Sequence, residues 1–94
     1  MEEVAATPAL ALDRAVRAAV EQRNGAPFTA GDIARAIGCS RQQYHSFVRH
    51  GWCNTKKIDE YVSAFKAHLD IEVIICRQAD GMWSATAIDT QLKL

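Results

Sequence analysis

Arg41, Gln42, His45 and Ser46 lie in the run Arg-Gln-Gln-Tyr-His-Ser-Phe-Val-Arg over 41–49, and each carries a defined hydrogen-bonding capacity. Arginine can donate two bonds to the O6 and N7 of guanine, glutamine can pair with the N6 and N7 of adenine, and serine accepts or donates at several base edges. His45 offers a contact to base or phosphate whose charge follows pH, or else stands simply exposed. Arg41 and Gln42 are the first candidates for reading a base sequence. Thr29, Arg35, Arg49, Lys56 and Lys57 suit a different task, contacts to a phosphate backbone that set register without carrying sequence. The chemistry on offer is recognition of double-stranded DNA.

Groups capable of covalent chemistry are present but do not converge. His50 and Cys53 lie near each other across Gly51-Trp52, a spacing that admits a cysteine nucleophile and a histidine base, yet no orienting third group or oxyanion loop accompanies them. His68 falls on a later helix beside Leu69, and Cys39 fills an apolar position in a turn. Cys39, Cys53 and Cys76 are odd in number, widely spaced and without a Cys-x-x-Cys pair, which suggests neither a disulfide framework nor a zinc module. The expectation is a reduced protein without enzymatic activity, cofactor or metal.

Two short helices joined by a tight turn must position the candidate residues. Thr29 can cap the first while Asp32 reaches back toward the cap, and Ile33 and Ile37 share one face. Gly38 ends it at a turn that needs a positive φ, and Ser40 with Gln43 forms a second capping box. The next helix therefore starts near Arg41 and runs to His50, with Gly51 as its stop. Tyr44, Phe47 and Val48 fall on its buried face at helical spacing, leaving Arg41, Gln42, His45, Ser46 and Arg49 to point outward.

The stretch 30–49 resembles the helix-turn-helix family of bacterial and phage repressors and regulators. Ala34 fills the family's small position, Gly38 its turn glycine, and Ile33, Ile37, Cys39, Tyr44 and Phe47 its hydrophobic positions. The resemblance covers about a fifth of the chain. Tyr44 and Phe47 depart from the pattern, since the family more often has aliphatic residues there, and imply wider helix–helix packing. By resemblance, the helix near 41–50 would be the recognition helix of a transcriptional regulator.

Composition sets the frame around this motif. Ninety-four residues suffice for a single domain, 1–94, with a small core, and 49% hydrophobic against 23% charged residues is the balance of an ordinary folded protein. No apolar run approaches the ~20 residues that span a membrane, and the acidic start Met-Glu-Glu-Val is unlike a secretory signal, so the expected location is cytoplasmic. The net charge is zero but unevenly spread. Residues 25–57 hold Arg35, Arg41, Arg49, Lys56 and Lys57 against Asp32 alone, while both flanks carry an acidic excess. Such a distribution favours approach to a phosphate backbone by one face.

The remaining elements read as support. A flexible terminus over 1–7 leads to a scaffold helix over 8–24, started by Thr7-Pro8, striped by Leu12, Val16, Ala19 and Val20, and carrying an Asp13–Arg17 pair at i,i+4. Asn54-Thr55 caps a fourth helix over 55–69, whose apolar face of Ile58, Tyr61, Val62, Phe65 and Leu69 should pack on the helix pair. Lys56 and Lys57 sit in its first turn, where the helix dipole disfavours cations unless an anion is near; a DNA phosphate would supply one, and plain solvation is the other reading. Residues 71–88 switch to β-branched and aromatic types around Asp80-Gly81, a β-hairpin whose faces both want cover. The expected fold is mostly α with a C-terminal β-hairpin: a helix-turn-helix core of about four helices plus two strands.

Two roles for the hairpin stay open: a wing with Arg77 touching phosphate, or a Cro-like interface pairing with its copy in a homodimer, which the acidic Glu72, Asp80 and Asp89 favour. Two functions likewise compete. One is a sequence-specific DNA-binding regulator, most simply a repressor occupying a promoter as a homodimer. The other is a helix-turn-helix protein-interaction adaptor, anchored by Trp52 and Trp83, whose binding would not weaken steeply with salt.

Overall fold

Capping chemistry sets the helix boundaries. Helix α1, Pro8–Asn24, starts where the Thr7 hydroxyl accepts the Leu10 N–H at 3.1 Å and Pro8 opens the first turn; Gly25, at φ 69°, closes it. Helix α2, Ala30–Ile37, carries the Thr29–Asp32 capping box at 3.2 and 3.0 Å and ends at Gly38, φ 81°. Helix α3, Arg41–His50, follows a Ser40–Gln43 box in which the Gln43 N–H donates to Ser40 Oγ at 3.0 Å and the Ser40 N–H to Gln43 Oε1 at 3.2 Å. Helix α4 spans Thr55–Leu69 and stops before Asp70, which takes a left-handed φ of 56°. The computed structural model describes residues 2–50 and 55–90; the Gly51 stop, the Trp52 anchor, the Cys53 thiol and the Asn54 cap lie outside them.

Among the described residues there are three strands, not two. Strand β1, Glu2–Ala5, lies against β3, Trp83–Asp89, which in turn pairs with β2, Ile71–Arg77, all antiparallel in the order β1-β3-β2. Residues 2–5 are therefore a paired edge strand and not part of a flexible terminus. Four residues with two glutamates have no periodicity of their own. Their order comes from the ladder that β3 offers, Glu2 opposite Thr86 through Ala5 opposite Trp83, and from Ala5, which is 2% exposed. The β2–β3 loop is also longer than an Asp-Gly two-residue turn. The Gln78 N–H bonds Met82 O, the Gly81 N–H bonds Gln78 O, and Gly81 sits at φ 86°, a turn followed by a left-handed residue.

The architecture is thus mostly α with C-terminal strands, as its sequence implies. Helix α1 lies at its centre. Its small residues Ala11, Ala15 and Ala19 belong to one buried cluster with Ala85 and Ala87 of β3 and Ile71 and Val73 of β2, and α1 packs on all three strands as well as on α3. Small residues on both surfaces let a helix lie close on a sheet. Arg23 ties three element ends together, donating to both Asp89 carboxylate oxygens at 2.6 Å and to the Leu69 carbonyl at 2.8 Å; the Asp89 hydrogen bond chiefly holds its guanidinium pKa above the ordinary value. Among the described residues no helix is long and apolar enough to cross a membrane.

Candidate nucleic-acid interface

Helix α3 is held from beneath by rings. Tyr44 and Phe47, 1% and 4% exposed, meet Tyr61 and Phe65 of α4: Phe47 stacks on Tyr61 with centroids 4.0 Å apart, and Tyr44 meets Phe65 edge-on at 6.4 Å. Aromatic pairs of this kind add roughly 0.5–1.5 kcal/mol beyond the area they bury. They fix the roll of α3 about its axis. Arg41, Gln42, His45, Ser46 and Arg49 are all exposed as a consequence, and within the described residues their side chains enter no hydrogen bond or ion pair.

The five do not form one uniform surface. Gln42, His45 and Arg49 follow at three- and four-residue spacing down the exposed side. Ser46 is turned toward α4, sharing a shallow groove with Gln43, Lys57 and Tyr61. Arg41 stands at the start of α3 with its stem over α2, so that a Cβ on Gly31 would lie 3.7 Å from Arg41 Cδ. The stem is braced while its head group stays outside.

The residues expected to touch phosphate fall on the two flanks of α3. On the α2 side, Thr29 and Arg35 are exposed, but Thr29 already accepts the Asp32 N–H and Arg35 lies 3.7 Å from Asp32. The Thr29 backbone N–H and hydroxyl hold the Asp32 carboxyl below its ordinary pKa, so this corner carries a fixed negative charge beside its arginine. On the α4 side, Lys56 and Lys57 are exposed in the first turn, Lys57 3.8 Å from Glu60. Arg35 and Lys57 each stand beside an acid of their own helix, whereas Arg49 enters no ion pair within the described residues.

The scaffold helix contributes more than support. Asp13 of α1 is 7% exposed, and its carboxylate accepts the Tyr44 hydroxyl at 2.6 Å and Arg17 Nη2 at 3.1 Å. Burial, then the Asp13 charge and hydrogen bond, push the Tyr44 phenol far above its ordinary pKa. Beside this triad a cavity of about 440 Å³ opens between α1 and α3, with His45 and Arg49 on its α3 wall and Arg17 on its α1 wall. The Asp13–Arg17 spacing is visible in the sequence; the involvement of α3 is not. The signal was the Tyr44 hydroxyl, because a tyrosine on a buried helix face needs a polar partner across the interface.

The His50–Cys53 pair cannot be placed, because Cys53 lies outside the described residues. Cys39 lies by Tyr61, whose phenol is pushed up first by burial and then by Cys39, and Cys76 is exposed on β2. No three His, Cys, Asp or Glu side chains among the described residues come together as metal ligands. What the geometry provides is a braced helix with a polar, partly cationic outer face. No protein family, no curated protein sequence and no solved structure shows a match to this chain.

Proposed function

We propose that this protein is a sequence-specific DNA-binding regulator of helix-turn-helix type that lays α3 in the major groove and represses transcription by occupying its site. The observation that carries the reading is the outer face of α3: Arg41, Gln42, His45, Ser46 and Arg49 are exposed and make no side-chain bonds within the described residues, on a helix whose roll is fixed by buried rings. Polar side chains left unpaired on a rigid helix are what direct readout of base edges requires. Arg41 and Gln42 read bases, with His45 and Ser46 beside them. Arg49 and Lys57 lead the backbone contacts, with Thr29, Arg35 and Lys56 at the margins. In this reading the protein acts in the cytoplasm and needs no cofactor.

A second copy completes the molecule in this reading. Helix α1 stands between the sheet and α3, which speaks against the hairpin as a wing beside the recognition helix. Strand β2 lies at the sheet edge with α4 packed beside it, where Lys66 bonds Glu72 at 2.6 Å, and Ile74, 57% exposed, shares a face with the exposed Ile88 and Val4. Antiparallel pairing of β2 with its copy about Ile74 would set Glu72 opposite Cys76 and Ile71 opposite Arg77, so no like charges would face each other. A two-fold dimer of this kind would present two α3 helices about 34 Å apart to successive major grooves.

The test is substitution on α3. Arg41→Ala and Gln42→Ala should each weaken specific binding by about 1–3 kcal/mol and relax preference at one base pair, measured by anisotropy on labelled duplexes. Affinity and sequence preference unchanged in both variants would remove α3 as the reading element.

A further inference from the structure

The cavity between α1 and α3 is unexplained by DNA recognition. It measures about 440 Å³, within the range of small-molecule sites. Leu10, Ala30, Val48 and the Tyr44 ring give it an apolar body, while Arg17 and Arg49 bring guanidinium groups and His45 an imidazole to its walls. Asp13 is the one acid in the lining, and its oxygens are already taken by Tyr44 and Arg17. With Asp13 set against Arg17, the guanidinium of Arg49 remains as excess positive charge.

Arg17 supplies a second, independent observation. Its Nε is buried without any hydrogen-bond partner, although the side chain as a whole is 36% exposed and its Nη2 is bound to Asp13. A buried donor left unpaired is unfavourable, which leaves the Arg17 guanidinium less firmly held than its bond to Asp13 alone suggests. With Nε closed to solvent, the exposed part of the Arg17 side chain is what an incoming oxygen anion would meet, while Asp13 kept its bond from Tyr44. A DNA phosphate belongs to a rigid duplex and has no apolar part to fill the space beneath Val48 and Leu10.

We propose that this cavity binds a small organic carboxylate with an apolar body, its anion held by Arg17 and Arg49 and its body against Leu10, Val48 and Tyr44. Because His45 and Arg49 also belong to the outer face of α3, an occupied cavity withdraws them from DNA, and the ligand lowers DNA affinity; this regulatory half rests on the DNA-binding reading above. Linkage requires that DNA lower the affinity for the ligand by the same factor.

The experiment is an NMR titration of the full chain with benzoate, its neutral counterpart benzamide, and inorganic phosphate, followed by DNA anisotropy with and without benzoate. Benzoate should shift the Leu10 and Val48 methyls and the Arg17 Nε–H, and binding should weaken about tenfold or more for benzamide and in Arg49→Gln. Arg17→Gln should weaken it similarly, and Arg49→Gln keeps the test decisive if removal of Arg17 unsettles the fold. Equal shifts with benzamide, the same shifts with phosphate alone, or no shifts at these residues would overturn the site. Benzoate binding that leaves DNA affinity unchanged would overturn the regulatory half, whereas absence of DNA binding with benzoate still bound would overturn the DNA reading and leave the site standing.

Discussion

Tyr44 does two things at once: its ring seats α3 on α4, and its hydroxyl, donated to Asp13 at 2.6 Å, fastens α3 to α1. Tyr44→Phe keeps the ring and loses a hydrogen bond to a charged acceptor, so it should destabilise the protein by about 1.5–3 kcal/mol in chemical denaturation. The phenol also sets a limit at high pH. Its folded pKa is raised above the ordinary 10.0, so its contribution is whole below pH 10 and is lost as pH rises, because the unfolded phenol ionises first. Stability should fall by about 1.4 kcal/mol per pH unit above 10 on this account, and Tyr44→Phe should remove one titrating group from that slope. Tyr61, also raised, keeps a share of it in the variant. An unchanged alkaline slope would mean that the hydroxyl is not buried in solution.

The helices and their caps are written locally and could be read from adjacent residues. Thr7-Pro8, the Thr29–Asp32 and Ser40–Gln43 boxes and Gly38 all act within four positions of the backbone groups they satisfy. Gly38 at φ 81° has nothing within 4 Å of an added Cβ, so Gly38→Ala meets only the backbone cost of a left-handed residue, about 1–2 kcal/mol of stability. Gly31→Ala, in a helical position with Arg41 Cδ and Thr29 Oγ1 at 3.7 Å, should be neutral or stabilising by up to about 1 kcal/mol in the same thermal melts. What the sequence hides is long-range. Strand β1 owes its order to β3, with Glu2 opposite Thr86, and the Arg23–Asp89 clamp joins residues on opposite ends of the chain. Of the site, the outward set on α3 followed from the spacing of Tyr44, Phe47 and Val48. The participation of Asp13 and Arg17 depended on how α1 crosses α3, which no local pattern states.

For the molecule as a whole, sheet and α3 fall on different sides of α1, and this separation divides the labour proposed for it. Under that proposal the edge strand β2 would bind a copy and α3 would bind DNA, with α1 packed on both the sheet and α3. If β2 forms the two-fold interface, Ile74→Lys places like charges together at its centre, and sedimentation should show a dimer converted to a monomer with its circular dichroism unchanged. A monomeric parent protein, or a dimer indifferent to the substitution, would remove that interface. The charge distribution acts at the same scale: the basic middle of the chain and its acidic flanks should make DNA association fall steeply with salt. Sequence-specific DNA binding is tested by selection of the purified protein on a random-sequence duplex library at two salt concentrations with sequencing of the retained DNA. A dimeric reader of DNA enriches a palindrome with half-sites about 34 Å apart and is retained less as salt rises; no enriched sequence and no salt-sensitive retention would remove DNA reading from this protein.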